Sequence, residues 1–162
     1  MYPVHPAPRT AVLVPWFHES VLTNRPVRVF PHGWSADAAA FAPSAVAGTL
    51  EQLNGLAREG IPSLTHSIIV LRRPEEQRMS DADRDDLWSA FRVPVFEQVI
   101  GKSGKLLAAE CEAHDGLHVA SPDLSMHGES LDDSLCPCGR KSPRIGVTHG
   151  VARERRIAAY AR

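Results

Sequence analysis

Residues 66–100 read HSIIVLRRPEEQRMSDADRDDLWSAFRVPVFEQVI, and this stretch decides the fold. His66–Leu71 is a short, nearly unbroken apolar run, the pattern of a strand buried on both faces. Arg72–Met79 is a polar connection. Ser80 then has the character of a helix N-cap with Asp83 three residues on, and Asp81, Asp83 and Asp85 lie at the positive end of the helix dipole. Leu87 and Phe91 form an apolar i, i+4 pair, and the helix is expected to end near Phe91. Val93–Ile100 returns as a second strand. Strand, helix and strand in this order predict a parallel βαβ crossover, right-handed by the general rule. The expected class is α/β, with a small mixed sheet built around that crossover.

Working outward, Thr10–Val14 and Val27–Phe30 are short β-prone runs separated by Pro15 and Pro26, with a turn-rich piece holding Trp16, Phe17 and His18 between them. From Ser44 to Arg58 the apolar positions Val46, Leu50, Leu53 and Leu56 recur at helical spacing, and Gly60 and Pro62 give a stop, so one helix is expected there. Lys105–Cys111 reads as a further strand. Ser121–Ser134 is rich in Ser, Asp and Gly and reads as a loop, and Val151–Tyr160 as a short terminal helix carrying Arg153, Arg155 and Arg156. Residues 1–9, with Pro3, Pro6 and Pro8, are expected to form an extended arm. Residues 10–162 are expected to form a single α/β domain with no internal repeat.

At 162 residues, the chain is long enough to bury a core. A net charge of -1 and a pI near 6.7 provide no general field to recruit nucleic acid or an anionic membrane. The longest apolar runs, Ala11–Val14 and Ser67–Leu71, are far short of the roughly 18 residues a membrane helix needs. The N-terminal prolines stand where a signal peptide would need a basic start and an apolar helix, so the expected location is cytoplasmic.

Three cysteines lie within residues 111–138, and two of them are separated only by Pro137, a spacing that strains any mutual disulfide. Metal binding is the better reading. Cys136-Pro137-Cys138-Gly139 puts two thiols on one tight turn, half of a tetrahedral site. Cys111 and one histidine across the Asp115-Gly116 turn supply the other half, with His118 and His114 as the rival ligands. Three thiolates and an imidazole suit Zn²⁺, and a closed set of four leaves no position for water, which points to a structural metal rather than a catalytic one. An iron–sulfur cluster fits this ligand set less well. The alternative is that Cys111 is a small buried hydrophobe and the C-x-C pair incidental.

Three pieces of the chain together resemble the phenylacetate-CoA ligases and their relatives among the adenylate-forming enzymes. They are Met79–Phe96 (MSDADRDDLWSAFRVPVF), Ala109–Val119 (AECEAHDGLHV) and Cys136–Ile145 (CPCGRKSPRI), and the resemblance runs from Leu64 to Ile145. It implies that Cys111, His118, Cys136 and Cys138 are the zinc ligands, which favours His118 over His114. It also exposes departures. Where the family carries a Y-G-x-S/T-E motif, with an aromatic beside the adenine and a glutamate toward Mg²⁺, this chain has Ile100-Gly101-Lys102-Ser103-Gly104. Only 17 residues separate His118 from Cys136, a much shorter span than in the family, and neither a ribose-binding aspartate nor a Ser/Thr/Gly-rich phosphate loop is identifiable.

Other motifs carry less. Gly101-Lys102-Ser103 looks like the end of a Walker A loop, but position 96 is Phe where the motif needs glycine, so a turn is expected. His18, Glu19 and His32 are read as packing or surface groups, and Glu110 and Glu112 as carboxylates facing away from the Cys111 thiolate toward solvent. The reading as a whole is of a catalytically silent, zinc-stabilised α/β protein that works with a protein partner or as a homo-oligomer. The alternative is an AMP-forming acyl- or aryl-CoA ligase component active only with a partner chain.

Overall fold

The computed structural model describes residues 9–16, 26–127 and 130–146. The expected arm before Arg9, the His18–Glu19 pair and the helix over 151–160 lie outside the described residues. The quoted stretch forms its crossover. Strand β4 (Ser67–Arg72) is buried along its whole length, helix α3 (Asp81–Phe91) follows, and β5 (Val95–Ile100) pairs parallel to β4 with Ile68 opposite Val95. Ser80 and Asp83 close a full capping box at the start of α3, and Arg92 ends it in the left-handed region at φ 57°.

N-terminal to this unit lie β1 (Thr10–Val12), β2 (Val27–Val29), a one-turn helix α1 (Ala36–Ala40), β3 (Ala45–Gly48) and α2 (Leu50–Leu56). The expected single helix over 44–58 is therefore corrected: its first part is a strand. Thr49 accepts from the Gln52 N–H while the Gln52 side chain accepts from Thr49 N, a capping box that starts the helix at Leu50. The small residues Ala45, Ala47 and Gly48 with β-branched Val46 fit between β1 and β4, where all four are buried.

After β5 the chain turns back. β6 (Leu106–Glu110), β7 (Leu117–Val119), β8 (Leu131–Asp132) and β9 (Arg144–Ile145) add antiparallel strands, giving one mixed sheet in the order β2-β1-β3-β4-β5-β6-β7-β9-β8. The α/β class is as expected, but the nine strands among the described residues make a larger sheet than the sequence suggested. The segment expected as loop over 121–134 contains a 3-10 helix (Pro122–His127) and β8. Short strands of two residues at a sheet edge leave little periodic signal.

Helices α1, α2 and α3 cover one face of the parallel half, over a core of Leu13, Val46, Leu53, Ile68, Val70 and Leu87. Val12, Val14, Ala47, Ile69, Leu71 and Ile100 form the cluster on the opposite face. At the antiparallel end Val99, Leu107, Leu117, Leu124 and Ile145 pack together. No helix among the described residues is long and apolar enough to cross a membrane.

Candidate metal centre

Cys111 directly follows β6, His118 sits in the middle of β7, and Cys136 and Cys138 lie on the knuckle that precedes β9. The pairing of β6 with β7 and β7 with β9 carries all three segments to one place. The knuckle closes through Gly139 N–H donating to the Cys136 carbonyl at 2.8 Å, with Gly139 at φ +83°. A left-handed glycine here lets the chain reverse without a Cβ penalty. The four ligand atoms of Cys111, His118, Cys136 and Cys138 lie within 4.8 Å of one another, and all but Cys138 are buried.

This cluster can hold a metal ion, and its dimensions fit a small tetrahedral one. With metal–sulfur bonds of about 2.3 Å, the edge of such a tetrahedron is about 3.8 Å between sulfurs and about 3.6 Å between sulfur and nitrogen. Cys111 Sγ and Cys136 Sγ are 3.7 Å apart, and Cys138 Sγ and His118 Nε2 3.3 Å. No disulfide joins the three cysteines.

The electrostatics differ from one group of the cluster to the next. Burial pushes the Cys111 thiol up to about 12, with the neighbouring Cys138 and Cys136 adding to the rise and the Ala113 N–H opposing it. Burial acts the same way on Cys138. There the Arg140 N–H, hydrogen bonds from Cys136 and Cys111, and the Arg140 charge outweigh it and hold the thiol below its usual range. Burial lowers the His118 imidazole below its ordinary value, and the charges of Arg140 and Arg144 add to this. A neutral imidazole and an acidified thiol are the forms a divalent metal takes.

His114, the rival ligand, lies elsewhere. Its Nδ1 is 3.1 Å from both Arg84 Nη1 and Glu110 Oε1, and its ring stacks on Phe96 at 5.2 Å between centroids. Glu110 corrects the sequence reading. It is 4% exposed rather than solvated, accepting from Arg84 Nη2 at 2.8 Å and from Glu97 N at 2.9 Å. Glu112 is exposed as expected, with Arg140 at 3.9 Å. Gly101–Lys105 is the turn anticipated, closed by Gly101 N to the Lys105 carbonyl, with Lys102 and Ser103 exposed. His32 stands exposed and apart from the cluster.

Sequence reasoning missed two supports of the cluster. Ser142 offers both its hydroxyl and its carbonyl to His118 Nδ1, at 2.9 and 3.3 Å. Arg144 is 1% exposed and reaches Asp115, Asp132 and Ser134. Both residues stand in the quoted CPCGRKSPRI piece, but no spacing rule marks a residue that acts through others.

No protein-family model and no curated protein matches this chain. Among solved structures it is similar to 2-hydroxyisobutyryl-CoA ligase. Against the open conformation of that enzyme, in complex with 2-HIB-AMP and CoA, the TM-score is 0.58 at 16% identity, covering 86% of this chain and 44% of the ligase. Against its postadenylation state the TM-score is 0.54, again at 16% identity, covering 86% and 43%. This chain thus spans less than half the length of either ligase structure, and what it shares with them is the fold of part of an acyl-CoA ligase.

Proposed function

We propose that this protein is a zinc-stabilised module of the adenylate-forming fold, similar in its motifs to the phenylacetate-CoA ligases, that acts as a binding or assembly partner and not as an adenylating enzyme. The observation that carries this reading is the closed cluster of three sulfurs and one imidazole nitrogen. Four protein ligands leave Zn²⁺ no site for water or substrate, so the ion would hold β6, β7 and the knuckle together. The β5–β6 turn supports the second half of the reading. Ile100 and Gly104 stand where the family resemblance would have an aromatic and a Mg²⁺-binding glutamate. Gly104 is buried at φ +77°, a backbone state that a glutamate enters only with strain. Phosphoryl chemistry on ATP needs a positioned metal and a charge clamp, and this turn offers neither carboxylate nor aromatic face.

Metal analysis and calorimetric titration test both halves on the purified chain. One zinc per chain without Mg-ATP binding supports the proposal, and Mg-ATP binding at micromolar levels overturns the non-adenylating half. A second reading, an AMP-forming ligase component completed by a partner chain, draws on the fold likeness covering 86% of this chain. Pyrophosphate release from ATP with an aryl or acyl acid, seen only when a co-purifying polypeptide is present, distinguishes it.

A further inference from the structure

We propose that Ser142 is the positioning residue of the metal centre, fixing the tautomer and ring orientation of His118 through two contacts from one residue. The inference rests on the zinc reading above. His118 Nδ1 lies 2.9 Å from Ser142 Oγ and 3.3 Å from the Ser142 carbonyl. A carbonyl oxygen only accepts, so the pairing requires the proton on Nδ1 and leaves the Nε2 lone pair free. Nε2 is the atom that faces Cys138 Sγ at 3.3 Å.

The sheet delivers Ser142 to this place. His118 is paired with Arg144 across β7 and β9, and Val119 N donates to the Pro143 carbonyl at 2.8 Å. Ser142 is therefore held in register with the imidazole, while Cys138, four residues earlier on the same segment, supplies a ligand to the same ion. One short segment thus contributes both a ligand and the support of a second ligand. Outer partners of a metal-bound histidine fix its tautomer and raise its basicity, and removing one typically costs about 10- to 100-fold in metal affinity.

The test uses the full chain, with Zn²⁺ affinity measured against a chromophoric chelator and Co²⁺ substituted as a spectroscopic probe. Ser142→Ala retains the carbonyl and loses the hydroxyl, so the expected result is a fall of about tenfold in Zn²⁺ affinity. The Co²⁺ d–d bands should shift with it, and Ser142→Thr should restore both. Wild-type affinity and an unchanged Co²⁺ spectrum in Ser142→Ala overturn the proposal while leaving the metal centre intact. A wild-type chain that binds no Zn²⁺ overturns the metal reading itself and this proposal with it. Should Ser142→Ala not fold, long-range ¹H–¹⁵N correlation of His118 in the zinc-loaded wild type decides: a proton on Nδ1 supports the assignment and one on Nε2 refutes it.

Discussion

Arg144 donates through Nη1 to the carboxylate and to the carbonyl of Asp115, each at 2.7 Å, from a position that is 1% exposed. Its Nη2 reaches Asp132 at 3.0 Å and the Ser134 hydroxyl at 2.8 Å. Asp115 belongs to the turn between Cys111 and His118, and Ser134 lies two residues before Cys136. One guanidinium therefore ties together the two segments that carry the candidate metal ligands, through protein contacts alone. The planar fork suits this because several N–H groups leave it in fixed directions.

Replacing Arg144 with Ala should lower stability by about 1–3 kcal/mol, since its hydrogen bonds are lost while Asp132, 17% exposed, and Asp115, 37% exposed, regain part of their hydration. Urea unfolding in the presence and absence of a chelator checks this, and the loss should appear in both. Arg144→Lys should recover only part of it, because an ammonium cannot reach both carboxylates at once. A loss confined to the zinc-loaded chain would show that Arg144 acts only through the ion.

A second buried pair joins the two strands of the crossover. Arg72 Nε donates to Glu97, with side chains 5% and 1% exposed, while Arg72 Nη1 donates to the carbonyls of Arg73, Pro74 and Glu76. Glu97→Ala should cost about 3–5 kcal/mol by leaving the guanidinium buried without its carboxylate. The double variant Arg72→Met with Glu97→Leu should be far milder, because two apolar side chains of similar volume need no charge compensation. Denaturant midpoints of the three proteins test the difference. Equal losses in single and double variants would mean that packing, not charge, governs this site.

These pairs also mark where the sequence stops being readable. The crossover was legible because a buried run, a capped acidic turn and a second buried run are local patterns. The cluster of three cysteines and a histidine was legible because such residue types are rare and stand at short spacing. Glu97 and Glu110 were not, since their partners Arg72 and Arg84 stand 25 and 26 residues earlier. A carboxylate in a one-dimensional pattern looks solvated whatever lies across the sheet. Val46 misled for a different reason: its spacing to Leu50 is helical, yet the Thr49–Gln52 capping box between them separates a strand from a helix.

The pH dependence of the chain in a chelator follows in part from two residues of the cluster. His118 is lowered below its ordinary 6.5 by burial, so the unfolded chain takes up the proton first and stability falls as pH drops below 6.5. Cys111 is raised from 9.0 to about 12 by burial, so the folded chain keeps a proton the unfolded one loses, and stability falls as pH rises above 9. Without metal, the Cys138 thiol, held below 9.0, adds stability as pH approaches 9, so thermal midpoints should rise toward that limit before the Cys111 fall sets in. With Zn²⁺ bound, the alkaline fall should disappear because the metal has replaced the Cys111 proton, and the acid fall should steepen as protons compete with the ion. An alkaline fall that persists unchanged with zinc would mean that Cys111 is not a ligand.

Gly139 offers a test of the knuckle that separates backbone strain from packing. Its φ is +83°, and a Cβ placed there meets no atom within 4 Å, so Gly139→Ala introduces strain and no clash. An L-residue in this region costs about 1–2 kcal/mol. The Gly139 N–H closes the turn onto the Cys136 carbonyl, so that strain should appear in the placement of Cys136 and Cys138. A fall in Zn²⁺ affinity of about tenfold is expected, the equivalent of about 1.4 kcal/mol. Gly139→Asn should be milder, because asparagine visits the left-handed region more readily. Gly33 is the control: its φ is +82°, it is equally open, and it lies far along the chain from the ligands. Gly33→Ala should lower the thermal midpoint by a similar strain but leave Zn²⁺ affinity where it was. If both alanine variants changed affinity alike, the effect would be global, and the knuckle would have no special claim on the metal.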